Sequence, residues 1–249
     1  MIIDTHTHLD NQKFIDDVDD VIERAKEAGV GKFIIPAADP ADLPRAIKLA
    51  EKYEEIYFAV GFHPVDIDRY EERLITDFIN HPKCVAVGEI GLDYHWVKEE
   101  EQRKKQIYFF HKQIEMAKEY KKPVIVHIRE ATEDSLRVLE EHPEIKGVLH
   151  CFNAAEQLLK LKERFYYGIG GVITFKNAKK LINVFPKIPK NRVVIETDAP
   201  YLTPHPFRGQ RNEPMYTVYV RDKISELWNM EPKQVEEITT KNARELFDI

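Results

Sequence analysis

Only two of the 249 residues are cysteine, Cys84 and Cys151. That is too few for a disulfide framework, so a reducing compartment is the expectation. Long apolar runs are missing too. No stretch approaches the roughly 18 residues of a membrane span, and no basic n-region followed by an apolar h-region opens the chain. A soluble cytoplasmic protein without membrane contact is therefore expected. Cationic excess is absent: 37 Lys and Arg stand against 43 Asp and Glu, a formal net charge of −6. This excludes a broad basic surface for nucleic acid, so any phosphate recognition must be local, through a few cations or a metal in a pocket. No G-x-G-x-x-G loop follows the first apolar run, where a doubly wound nucleotide-binding sheet would carry one. Asn and Gln are sparse beside abundant Lys and Glu, a compositional trend of heat-adapted proteins.

Hydrophobic residues make up 43% of the chain, enough for a proper core, and charged residues 32%, above the usual quarter. Short apolar runs alternate with amphipathic stretches along the whole length. Strands are expected at 2–6, 32–36, 56–60, 84–89, 123–127, 146–150, 166–170 and 193–197. Helices are expected near 15–28, 41–53, 67–80, 99–120, 133–141, 215–229 and 231–247, with helical stretches also after strands six and seven. A loop rich in Pro, Arg and Gly covers 200–214. Eight strand–helix alternations in about 250 residues imply an α/β fold, a (β/α)8 TIM barrel spanning 1–249 as a single domain.

Such barrels place their chemistry at the C-terminal strand ends. Those ends carry His6 and His8 from strand one, His63 after strand three, Glu89 from four, His127 from five, His150 from six and Asp198 beyond eight. Strand alternation sets His6 and His8 on one face, with Asp4 one step deeper, where it could pair with a ligand from behind. The same parity groups Val85, Val87 and Glu89, Ile125 with His127, and Val148 with His150. Six ligands exceed a four-coordinate zinc site. We therefore expect two divalent cations: one held by His6, His8 and Asp198, the other by His127 and His150, with Glu89 between them. Imidazole and carboxylate without thiolate suit zinc, manganese or magnesium. Opposite parity points Cys151 away, and both cysteines read as buried packing residues.

The stretches Ile3-Asp4-Thr5-His6-Thr7-His8, Gly61-Phe62-His63-Pro64, Gly88-Glu89-Ile90-Gly91-Leu92-Asp93 and Val126-His127-Ile128-Arg129-Glu130-Ala131 resemble the TatD family of metal-dependent deoxyribonucleases. His150-Cys151-Phe152, Glu196-Thr197-Asp198-Ala199-Pro200-Tyr201-Leu202 and the segment 204–214 extend the resemblance to the last helix. The resemblance implies an amidohydrolase-type barrel, two divalent metals and hydrolysis of DNA phosphodiester bonds, often exonucleolytic. It carries the family's metal ligands onto His6, His8, Glu89, His127, His150 and Asp198. The expected partner is DNA as substrate, attacked by a metal-bridging hydroxide, with Asp198 accepting its proton and Glu89 bridging.

Arg129 and Arg208 are candidates for gripping phosphate, the alternative for each being a salt bridge to a carboxylate. His63 is a candidate substrate contact or proton donor at the rim, the alternative being loop packing. Glu196 shares the parity of Asp198 and points into the barrel, so it needs a cationic or hydrogen-bonding partner. Rival readings remain. One is a related two-metal hydrolase of another ester or amide, such as an aminoacyl-tRNA, lactone or phosphotriester; many of these bridge their metals with a modified lysine where this chain has Glu89. The other is a non-catalytic metal-binding protein.

Overall fold

In the computed structural model, which describes residues 1–249, eight parallel strands pair in sequence order. They are β1 (Ile2–Asp4), β2 (Val30–Ile35), β3 (Ile56–Val60), β4 (Cys84–Asp93), β5 (Val124–Arg129), β6 (Gly147–Leu149), β7 (Phe165–Ile169) and β8 (Val193–Ile195). The helices are α1 (Val18–Glu27), α2 (Leu43–Lys52), α3 (Arg73–Thr76), α4 (Glu100–Glu119), α5 (Thr132–Glu140), α6 (Lys179–Val184), α7 (Thr217–Trp228) and α8 (Pro232–Phe247). Val21, Ile22 and Ala25 of α1, at helical spacing, are buried. Pro232 in the first turn and a Glu231–Gln234 capping box start α8.

Two apolar layers hold the barrel. Ile3, Ile34, Ala59, Val85, Ile125, Val148, Tyr166 and Val194, one from each strand, meet inside, joined by Leu246 and Phe247 of α8. The outward residues of the same strands, such as Ile2, Phe33, Phe58 and Val193, pack in the larger cluster with the helices. This two-sided burial is why the strands read as continuous apolar runs.

Three expectations change. The periodicity at 67–80 is not one helix but a 3-10 turn, Pro64–Arg69, and the single turn of α3. Pro64 opens the turn, and the His63 ring accepts its Val65 N–H, which fixes a tight local path rather than an α-helical one. After β6 there is only a 3-10 segment, Glu156–Leu161. Strand alternation also breaks at two ligand positions. Val85 and Ala86 both face the interior while Val87 faces the helices, so a register shift, not simple parity, delivers Glu89. Likewise β1 ends at Asp4, and the chain bends before His6.

The seam between β1 and β8 is bridged by backbone bonds from Thr5 N to Ile195 O (3.0 Å), Asp198 N to His6 O (2.8 Å) and His8 N to Ala199 O (2.8 Å). Asp4 was expected to back a ligand ring; instead its carboxylate spans this seam. It accepts from Thr197 N (2.9 Å), Thr197 Oγ1 (2.5 Å) and His6 N (3.3 Å) while fully buried. Removing it strands three donors away from water, so Asp4→Ala should lower the unfolding free energy by about 2–4 kcal/mol. Urea denaturation measures this, and a loss near zero would deny Asp4 its seam role.

Candidate metal centre

Glu89 lies at the centre of the strand-end face, 3% exposed. Its two oxygens face different imidazoles. Oε2 is 3.3 Å from His6 Nε2, whereas Oε1 is 2.8 Å from His127 Nδ1, 3.4 Å from His150 Nε2 and 3.6 Å from His63 Nε2. Asp198 stands on the first side, its Oδ1 3.2 Å from His8 Nε2 and 3.7 Å from His6 Nε2. The rings of His6 and His150 stack with centroids 3.5 Å apart, so the two halves abut. His6, His8 and Glu89 form one compact donor group, and Glu89, His127 and His150 another.

Each element contributes by a different device. Asp198 has a left-handed backbone (φ 57°) just past β8, and its carboxylate meets His8 and His6. Gly91, at φ 141°, lets β4 lie against β5; a Cβ there would stand 2.1 Å from His127 O. That close approach keeps His127 beside Glu89.

Carboxylates stand behind two of the rings. His127 turns Nδ1 to Glu89 and Nε2 to Asp93 Oδ2 at 3.0 Å. His150 turns Nε2 to Glu89 and Nδ1 to Glu196 Oε1 at 3.2 Å, out of line for a good hydrogen bond. Glu196 Oε1 also accepts the Cys151 N–H at 2.6 Å. This is the partner that the buried Glu196 required. Asp93, four residues past Glu89 at the end of the Gly88–Asp93 stretch, is a residue that the sequence reading does not assign to the site. Cys151 departs from expectation: Cys84 is buried, but Cys151 is half-buried in a left-handed turn (φ 43°) beyond the end of β6, where strand parity no longer applies. Burial and the nearby carboxylates Asp198, Glu196 and Glu89 raise its thiol well above the ordinary value, which keeps it protonated.

Burial pushes Glu89 upward, yet His150, His6 and His63 hold its carboxyl well below the usual range. Asp198 is lowered against burial by the bond to His8 and by His150 and His6. Burial lowers His150, but Glu196 and Glu89 carry it up to about 10. His63 goes the other way, pushed down to about 4 by burial. Its Nδ1 accepts from Val65 N, which leaves the ring proton on Nε2, toward Glu89. It sits deeper than a rim position, with its ring centroid 4.4 Å from that of His127.

Arg129 and Arg208 lie further out, and neither forms an ion pair. Arg129 lies over the Trp96 ring (5.6 Å), and Arg208 lies over Phe175 (4.0 Å) and donates to Thr203 O (2.9 Å). The carboxylate partners offered as alternatives for these two residues are therefore not found.

The chain is 45% identical over 256 residues to the uncharacterized metal-dependent hydrolase YabD of Bacillus subtilis, with both chains fully covered. It is 34% identical to YcfH of Escherichia coli, another protein named an uncharacterized metal-dependent hydrolase, over all of this chain and 96% of that one. Among solved structures, the TatD homolog YjjV of Escherichia coli superimposes with a TM-score of 0.92 at 32% identity, covering 100% of this chain and 98% of that one. The model of the family described as TatD related DNase matches residues 3–248, from the first strand to the last helix, and the chain belongs to that family.

Proposed function

We propose that this chain is a divalent-metal-dependent hydrolase that cleaves DNA phosphodiester bonds, with two cations per subunit. One observation carries the reading: a buried carboxylate with one oxygen toward His6 and the other toward His127 and His150. The donor set fits cations by its own chemistry. His6 Nδ1 and Nε2, His8 Nδ1 and His150 Nδ1 are buried without a hydrogen-bond partner, an expensive arrangement unless some of these rings find a ligand. Four carboxylates (Glu89, Asp93, Glu196 and Asp198) face five imidazoles; rings that gave up their protons to bind metal would leave an acidic cluster whose charge two divalent cations offset. The relatives' names, metal-dependent hydrolase, and the family's description as DNases agree with this reading.

In this scheme His6, His8 and Asp198 would hold one cation and His127 and His150 the other, with Glu89 available to both. Bound cations supply Lewis-acid charge and bring a water's pKa near neutrality. Asp198 orients the attacking water and accepts its proton, because its Oδ1 stands at the mouth beside His8. His63, neutral and protonated on Nε2, donates to a substrate oxygen. Arg129 and Arg208, free of carboxylates, take the non-bridging phosphate oxygens. Asp93 and Glu196 fix the rings of His127 and His150.

Complete chelation should abolish cleavage of end-labelled DNA, and adding back manganese, magnesium or zinc should restore it. Full activity after metal removal would sink the scheme. Asp198→Asn should keep most of the bound metal while kcat falls about 10²–10⁴-fold. Metal content and turnover, measured on one preparation, separate this from a ligand-only role, in which both fall together. Gly168 tests the support shell, since a Cβ there would stand 2.2 Å from Glu196 Oε2. Gly168→Ala should displace that carboxylate and weaken metal affinity about 10–100-fold while circular dichroism stays native. Unchanged affinity in a chelator competition would remove Glu196 from the supporting role.

A further inference from the structure

Two large aromatic side chains stand out from the strand-end face instead of packing. Trp96, three residues past the end of β4, is 67% exposed, and Tyr201, three residues past Asp198, is 47% exposed. Each ring carries a cation. The Arg129 guanidinium lies 5.6 Å from the Trp96 centroid, and the Lys13 ammonium 5.1 Å from that of Tyr201. Neither cation has a carboxylate partner, so both remain free for an anionic ligand.

Each aromatic is also tied to one half of the metal centre. The Asp93 carboxylate that meets His127 Nε2 accepts the Trp96 backbone N–H at 3.3 Å. On the other half, Tyr201 N donates to Asp198 O at 2.8 Å, and the Tyr201 ring lies 6.2 Å from the ring of His8. Asn11 Nδ2 lies 3.4 Å from the Tyr201 hydroxyl, which steadies the ring. The two aromatics therefore flank Glu89, one on the His127 side and one on the His8 side.

An exposed ring topped by an unpaired cation matches a nucleotide: the base stacks on the ring and the cation meets the adjacent phosphate. We propose that Trp96 with Arg129 and Tyr201 with Lys13 are base-stacking platforms for the nucleotides on either side of the scissile phosphate. The proposal rests on the phosphodiester reading of the centre. It makes bases, not only phosphates, part of what the enzyme recognises, and it assigns one ring to each side of the cleaved bond.

The test compares an end-labelled thymidine octamer with the same strand made abasic at the positions flanking the cleaved bond. Removing one platform should raise KM for the intact strand about tenfold, the size expected for one stacked base. Trp96→Ala and Tyr201→Ala should each do so with kcat little moved, whereas Trp96→Phe and Tyr201→Phe should hold KM near the parent value. The parent's own preference for the intact strand over the abasic one should shrink in each alanine variant. In Trp228→Phe, where Trp96 is the only indole, strand binding should quench the emission. An unchanged KM on the intact strand, or a loss that persists in full on the abasic strand, would overturn the platforms. Should the parent cleave no strand at all, the phosphodiester reading falls instead. Anisotropy of the labelled octamer under chelation then decides the platforms, with equal binding by parent and Trp96→Ala ruling them out.

Discussion

A carboxylate with almost no access to water is the constraint from which the rest of the centre follows. Alone in the barrel mouth, Glu89 would be neutralised or would destabilise the fold. Four imidazoles around its two oxygens remove that penalty and hold it ionised. Those imidazoles bring demands of their own, because a buried ring nitrogen also needs a partner. Asp198, Asp93 and Glu196 stand against His8, His127 and His150 in turn. Asp93 and Glu196 thus answer rings that themselves answer Glu89, while Asp198 joins His8 to the cluster through its second contact, with His6. What the cluster still leaves unmet is a set of buried, unpartnered nitrogens on His6, His8 and His150.

The barrel was legible because its signal is local. Two-sided burial writes each strand as a short apolar run, and the helices between them repeat at a spacing that any window can detect. The convergence of His6, His8, Glu89, His127, His150 and Asp198 was legible for a related reason, since chemistry-bearing residues stand at successive strand ends. Strand alternation describes that convergence only in part. Asp4 was placed behind a ring by alternation, yet β1 ends at Asp4, and its carboxylate serves the seam. Val85, Val87 and Glu89 were set on one face, yet β4 changes register between β3 and β5. Bulges and bends depend on what a neighbouring strand allows, as Gly91 against His127 O illustrates, and no single segment encodes that.

The supporting acids show where sequence reading stops. Glu196 was recognisable as a problem, an inward carboxylate, but its answer lies in His150 and the Cys151 N–H, on the far side of β7 in the chain. Asp93 gave a quieter signal. Extending β4 past Glu89 would have placed it on the face of the centre, but the expected strand ended at Glu89. The short helical rhythm at 67–80 misled in the opposite sense, because Pro64 and the His63 ring settle that segment by local bonding before periodicity counts.

Closure of the barrel and assembly of the His6–His8–Asp198 side of the centre use the same residues. Asp198 uses its backbone N–H to bond His6 O across the seam and its side chain to meet His8. Thr197, one residue earlier, is gripped by Asp4, and Ala199, one residue later, accepts from His8 N. Any displacement of this turn therefore moves a seam bond and a donor atom together. Ligands that bind only the folded arrangement stabilise it by mass action, and metal affinity of this kind is folding free energy. A cation held between His6, His8 and Asp198 would therefore tie together the β1–β8 join, which Thr7 and Ala199 close by an isolated bridge instead of a ladder. Loosening that join would in turn scatter the donors.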